Sequence, residues 1–131
     1  MAKTSPMQRS LKVIKDAGLP YWKVEYWQPW ARRRIDLFNI IDLIVLDSGI
    51  IGVQITGADI ASHRIKILET EKNYTIAWLK SGGLLEVHSW RNLVVKRGMK
   101  AKKWNCKIAD VLLVNGELYW EERNEPQYKA L

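Results

Sequence analysis

Cysteine is almost missing from this chain. Cys106 stands alone, which excludes an internal disulfide framework and a thiolate metal cluster. Histidine is nearly as scarce, and His63 with His88 supplies too few imidazoles for a zinc site. No apolar run approaches the ~20 residues of a membrane-spanning helix. The opening MAKTSPMQRS lacks the apolar segment of a signal peptide. A cytoplasmic protein without membrane contact is therefore expected. Acidic residues are in deficit, 14 against 21 Lys and Arg, for a formal net charge of +7. Such an excess favours a polyanionic partner, most often nucleic acid, because neutralised phosphates release counterions. The bland alternative is a merely basic, soluble domain.

What is present is enough for one core. The chain has 131 residues, 47% of them hydrophobic, and reads as a single domain over 1–121 with a polar tail, 122–131. Ser5-Pro6-Met7-Gln8 predicts a helix start with a capping box, and Gly18 its stop. The aromatic-rich YWKVEYWQPW predicts a strand ending near Pro29, and a basic connection, 31–34, leads on to DLFNIIDLIVLD. After the Asp47-Ser48-Gly49 turn and IIGVQIT, helices are expected over about 58–68 and 71–81, with Gly82-Gly83 ending the second. LLEVHSWR, NLVVKR, KWNCKIADVLLV and ELYWEE then read as strands, the last two joined at Asn115-Gly116. The order is α/β, with a mixed sheet covered by helices.

The polar residues of the central hairpin carry the functional signal. A three-residue Asp47-Ser48-Gly49 loop, with glycine at its last, left-handed position, pairs Leu46 with Ile50. Counting outward, Ile44 meets Gly52, Asp42 meets Gln54, and Ile40 meets Thr56. Opposed residues share a face, so Asp42, Gln54 and Thr56 converge. A two-residue Ser48-Gly49 turn would instead send Asp42 to the other face. A carboxylate in a buried strand must be hydrogen-bonded, paired or metal-bound. Either Gln54 satisfies Asp42 as a plain core hydrogen bond, or the pair belongs to a site. In the helix that follows, Ile60, Ala61, Ile65, Ile67 and Leu68 define an apolar arc. Arg64 falls near its middle and is expected to point at the sheet; Lys66 falls opposite, as a solvated charge, and His63 at the edge.

An aspartate, a turn, an acid-x-lysine position on the next strand and then a helix resemble the PD-(D/E)XK nuclease superfamily. The resemblance rests on RRRIDLFNIIDLIVLD, GVQIT and WLKSGGLLEVHSW, and is greatest to small archaeal and phage-type Holliday junction resolvases. It implies a restriction-endonuclease-like core, αβββαβ, with a C-terminal antiparallel extension. It implies that Asp42 is the metal-binding aspartate, that Gln54 stands at the second acid, and that Thr56 stands where the lysine belongs. Glu25 would be the upstream acid, with Asp36 a further carboxylate. Gln54 has a carbonyl oxygen acceptable to Mg²⁺ but no charge. Thr56 cannot replace a lysine, and Arg64 would be its substitute, supplied from the helix as some members supply theirs. The cofactor implied is Mg²⁺, with Mn²⁺ as substitute.

Two basic clusters are the expected DNA surface: Arg32, Arg33 and Arg34, and KRGMKAKKW, with Lys96, Arg97, Lys100, Lys102 and Lys103 near a hairpin tip. Trp30 and Trp104 beside them are candidates for stacking on unpaired bases. The other view of the tryptophans, Trp22, Trp78 and Trp90 especially, is that they fill the core or a subunit interface. Cutting two strands symmetrically implies a homodimer, with the aromatics of 22–30 as its interface. Two rival readings are a catalytically inactive nucleic-acid-binding protein on the same fold and a basic structural protein of a virus.

Overall fold

The computed structural model describes residues 4–124. The first helix, α1 (Pro6–Asp16), starts as its sequence dictates. Ser5 Oγ accepts from the Gln8 N–H at 3.1 Å, and Gln8 Oε1 accepts from the Ser5 N–H at 2.9 Å. Two otherwise orphaned donors are thereby satisfied reciprocally. Gly18, at φ +74°, turns the chain away beyond the helix end.

Six strands form the main sheet: β1 (Tyr21–Lys23), β4 (Leu43–Leu46), β5 (Ile50–Thr56), β6 (Leu84–Val94), β7 (Lys102–Val114) and β8 (Glu117–Asn124), side by side in that order. Only the β5–β6 pair is parallel. Between β1 and β4 the chain makes a separate two-stranded hairpin, β2 (Tyr26–Gln28) and β3 (Arg33–Ile35). Between β5 and β6 lie α2 (Ile60–Ile65), a π-helical turn (Lys66–Thr70) and α3 (Lys72–Lys80). The protein is α/β, a mixed six-stranded sheet with three helices. No helix among the described residues is long and apolar enough to cross a membrane.

The core has two halves. On one face, Ile14 of α1 packs with Leu43, Val45, Ile51 and Val53. On the other, Ile67 packs with Ile40, Ile41, Leu85, Val87 and Val111, with Trp78 of α3 against them. Gly52 lets that second layer come close: a Cβ there would lie 2.7 Å from Ile41 Cδ1 and 3.2 Å from Trp78 Cζ2. A buried polar chain ties α1 to the far strands. Ser10 accepts from Trp90 Nε1 at 2.8 Å and bonds His88 Nδ1 at 2.9 Å. His88 Nε2 meets Glu86, and Arg123 joins Glu86 to Asp110. The Glu86 carboxylate only accepts, which places a ring proton on Nε2; in the singly protonated ring Nδ1 then accepts from the Ser10 hydroxyl.

Several expectations are corrected by this architecture. The aromatic strand is broken in two, because the Asp42 carbonyl accepts from both Val24 N–H (2.9 Å) and Glu25 N–H (3.2 Å). Two residues opposing one is a bulge, and it turns the chain out of the sheet into the hairpin. DLFNII is not strand: Phe38 and Asn39 adopt left-handed φ values of 53° and 61° in a tight turn. The loop after β4 has the expected register, Leu46 with Ile50 and Ile44 with Gly52, but its left-handed residue is Ser48 (φ 55°) rather than Gly49. LLEVHSWR and NLVVKR are largely one strand, β6, which ends at Val94. The polar tail begins later than expected, since β8 runs to Asn124 with Arg123 held by Asp110 and Glu86. Residues 125–131 of that tail lie outside the described residues.

Candidate metal centre

Asp42 sits at the bend just before β4, its N–H bonded to the Val53 carbonyl at 2.8 Å. The β4–β5 ladder ends at Leu43–Val53, and just beyond it the Asp42 side chain lies beside Gln54. Asp42 Oδ2 accepts from Gln54 Nε2 at 2.5 Å and from the Ile55 N–H at 2.8 Å. The residue is only 4% exposed. Burial, reinforced by Asp36 and Glu25 nearby, pushes its carboxyl up to about 8, against the pull of the Ile55 N–H.

The other two acids arrive through the small hairpin. Its ladder pairs Tyr26 with Ile35, Trp27 with Arg34 and Gln28 with Arg33. One step further toward its base, Glu25 comes opposite Asp36. The bulge at Asp42 fixes where that base sits. Glu25, Asp36 and Asp42 thereby offer ligand oxygens that all lie within 4.8 Å of one another. Such crowding of like charge is costly unless a cation shares the site. An all-oxygen donor set without thiol or imidazole fits a hard ion such as Mg²⁺.

Of the cations on the helical segment after β5, Lys66 and not Arg64 meets the acids. Lys66 Nζ donates to Asp36 Oδ2 at 3.1 Å and to Gln54 Oε1 at 3.3 Å. Burial pushes the Asp36 carboxyl up, but hydrogen bonds from Asp42, Lys66 and Gln54 and the charge of Lys66 outweigh it. Asp36 is left below the ordinary carboxylate range. Arg64 is exposed and leans the other way, 5.8 Å from the ring of Trp120 on β8. Both long side chains leave the helix–sheet interface sideways, and the acids lie on the flank of Lys66. The apolar arc misled because two of its five members do not face the sheet. Ala61 is exposed and Ile65 is 54% exposed, whereas Ile67 is buried. His63 is half-buried; burial and then Lys66 hold its pKa below the usual value.

Gln54 bridges rather than ligates in this arrangement. Its Nε2 faces Asp42 and, at 3.3 Å, Asp36, while its Oε1 faces Lys66. The reverse amide orientation would set two donors, Nε2 and Nζ, against each other. Thr56, buried at the end of β5, lines the same cleft as Asp42 and Glu25. That cleft, about 510 Å³, is walled by the start of α1, Lys23 and Arg34. A second cleft of about 490 Å³ opens on the Asp36–Lys66 side and is walled by Arg33 and Arg34. Arg34 borders both, and its NH1 lies 3.6 Å from Glu25 Oε1.

The two basic clusters are placed differently. Arg32, Arg33 and Arg34 belong to the β2–β3 hairpin at the acids. Lys96, Arg97 and Lys100 occupy the exposed β6–β7 tip, and Lys102 and Lys103 open β7. This second arm is anchored to α1, where Arg9 covers one face of Trp104 at 3.8 Å. Trp30, at the tip of the small hairpin, is 83% exposed. Trp22 is not a core residue, being 76% exposed, whereas Trp90 is buried and Trp78 packs over Gly52 and Gly83.

Sequence reasoning missed Lys66 and the way Glu25 and Asp36 meet. The available signal was the turn-forming Pro29 between YWQ and RRI, which marks a hairpin and so aligns the two acids. Compared with protein-family models, curated proteins and solved structures, the chain matches none.

Proposed function

We propose that the protein is a Mg²⁺-dependent endonuclease of the PD-(D/E)XK type, with Mn²⁺ as substitute, acting on branched DNA as Holliday junction resolvases do. One observation carries this reading: three carboxylates from separate segments converge within 4.8 Å beside a lysine hydrogen-bonded to one of them. The succession of helix, three antiparallel strands, helices and a strand parallel to the third supports it. So does the net charge of +7, which favours a polyanionic substrate.

Asp42, Asp36 and Glu25 would hold the ion, which supplies water activation and stabilisation of developing negative charge at a phosphodiester. Lys66 takes the part of the absent motif lysine, keeping an ammonium at the rim of the Asp36 cleft to neutralise an incoming phosphate. Gln54 holds Lys66 and Asp42 in fixed relation. Arg34 clamps phosphate between the two clefts. Thr56 fills the strand end beside Asp42. Two such sites in a homodimer would cut both strands of a junction.

The second reading, a binding protein without catalysis, is favoured by one observation: Gln54 presents a nitrogen where the motif has an acid. Incubation with a four-way junction, a flap and linear duplex, with Mg²⁺ or Mn²⁺, separates the two. Cleavage by the wild type is expected. Asp42→Ala should abolish it with DNA binding retained, and Lys66→Ala should lower it by about 10²–10³. Arg64→Ala should leave it unchanged. A wild type that binds but never cuts makes the protein a binding module.

A further inference from the structure

The β2–β3 hairpin carries more than the two acids at its base. Opposed residues of an antiparallel ladder share a face, so Trp27 and Arg34 lie together, and Glu25 and Asp36 continue that same face inward. Trp27 is two residues from Glu25, ~6.6 Å along an extended strand. That is about the span from a nucleotide's base to its own phosphate. Trp27 is 55% exposed, and Arg34 lines both clefts at the acids.

We infer that this face is a subsite for an unpaired nucleotide, its base stacked on Trp27 and its phosphate held by Arg34 at the edge of the acid cluster. The inference rests on the phosphodiesterase reading and names its substrate class: DNA with single-stranded or splayed nucleotides, ahead of intact duplex. An indole offers a base a broad apolar face and needs no sequence match. A paired base within a duplex has both its faces covered by its neighbours, so only an unpaired one can lie on the ring. The cations say why the occupant is nucleic acid and not a second copy of the chain. Arg32, Arg33 and Arg34 crowd this hairpin, and a twofold contact through it would set each cluster against its own image. A polyanion meets the same charges favourably.

The test is binding by fluorescence anisotropy in EDTA, where no cutting occurs, using a labelled oligothymidylate and a blunt duplex of equal length at one salt concentration. Wild type should prefer the single strand. Trp27→Ala should weaken single-strand binding about tenfold and duplex binding less than about twofold, because a stacking contact is lost and phosphate contacts are kept. Trp27→Phe, which keeps a stacking face, should stay within about threefold of wild type. Circular dichroism of each variant checks that the fold is intact. The inference is overturned if wild type shows no single-strand preference, or if Trp27→Ala binds the strand as wild type does. Equal loss on both ligands, or no rescue by Phe, overturns it too. The two readings fail separately. A Trp27-dependent strand binder that never cuts removes the nuclease, and a nuclease indifferent to Trp27 removes the subsite.

Discussion

Asp42 is the residue on which the proposed chemistry turns, and its protonation gives the site a pH signature. Its carboxyl is raised from 3.8 to about 8 by burial and the neighbouring acids, so the folded protein holds this proton more tightly than the unfolded chain. The resulting stabilisation is complete below about pH 4 and is lost as pH rises through about 8. A cation needs the carboxylate, so its affinity runs the opposite way. Mn²⁺ binding measured calorimetrically should strengthen by about tenfold per pH unit below 8 and level off above it. In Asp42→Asn the dependence should flatten. A wild-type affinity independent of pH would mean that Asp42 is not a ligand. At this scale the sequence was partly legible. Asp42 meeting Gln54 follows from a turn and a count of residues, because antiparallel pairing is strictly periodic. Lys66 was hidden because Ile65, an apolar residue on the solvent side, pulled the inferred inward direction toward Arg64.

Among the elements, α1 and the hairpins at Ser48 and Asn115 were legible from local chemistry alone. Ser5 with Gln8 caps a helix wherever the pair occurs, and Asn115-Gly116 takes left-handed φ values of 51° and 81° for a tight turn. The small hairpin was not legible, since it depends on a bulge created by a carbonyl 17 residues away in sequence, between Glu25 and Asp42. Nor was the π-helical turn, which breaks the 100° periodicity on which helix reading relies. What locks α1 to β6 is the buried hydroxyl of Ser10. Ser10→Ala removes the buried hydroxyl that accepts from Trp90 Nε1–H and bonds His88 Nδ1. It should cost about 1–3 kcal/mol in urea unfolding, with little effect on metal binding. An unchanged midpoint would show that the polar chain contributes nothing to stability.

At the scale of the whole molecule three acids meet in one cluster, and two groups of cations stand on separate arms, the β2–β3 hairpin and the β6–β7 tip. The arm at β6–β7 is built from a Gly98 turn (φ 86°) that leaves Lys96, Arg97 and Lys100 in solvent. If those three contact phosphates, converting all of them to glutamine should reduce the slope of log K against log salt by about 2–3 in anisotropy titrations with DNA. A solvated tip without contacts leaves the slope where it was. Net charge favours a polyanionic partner but does not show where the cations stand, because composition carries no positions.

Asp42 also does two jobs with two different parts of itself. Its peptide carbonyl holds Val24 and Glu25 and so steers the chain out of the sheet, while its carboxylate faces Gln54. Side-chain replacement there subtracts chemistry and leaves the scaffold standing. An added residue beside it would do the reverse, sparing the carboxylate but swinging Glu25 out of its company.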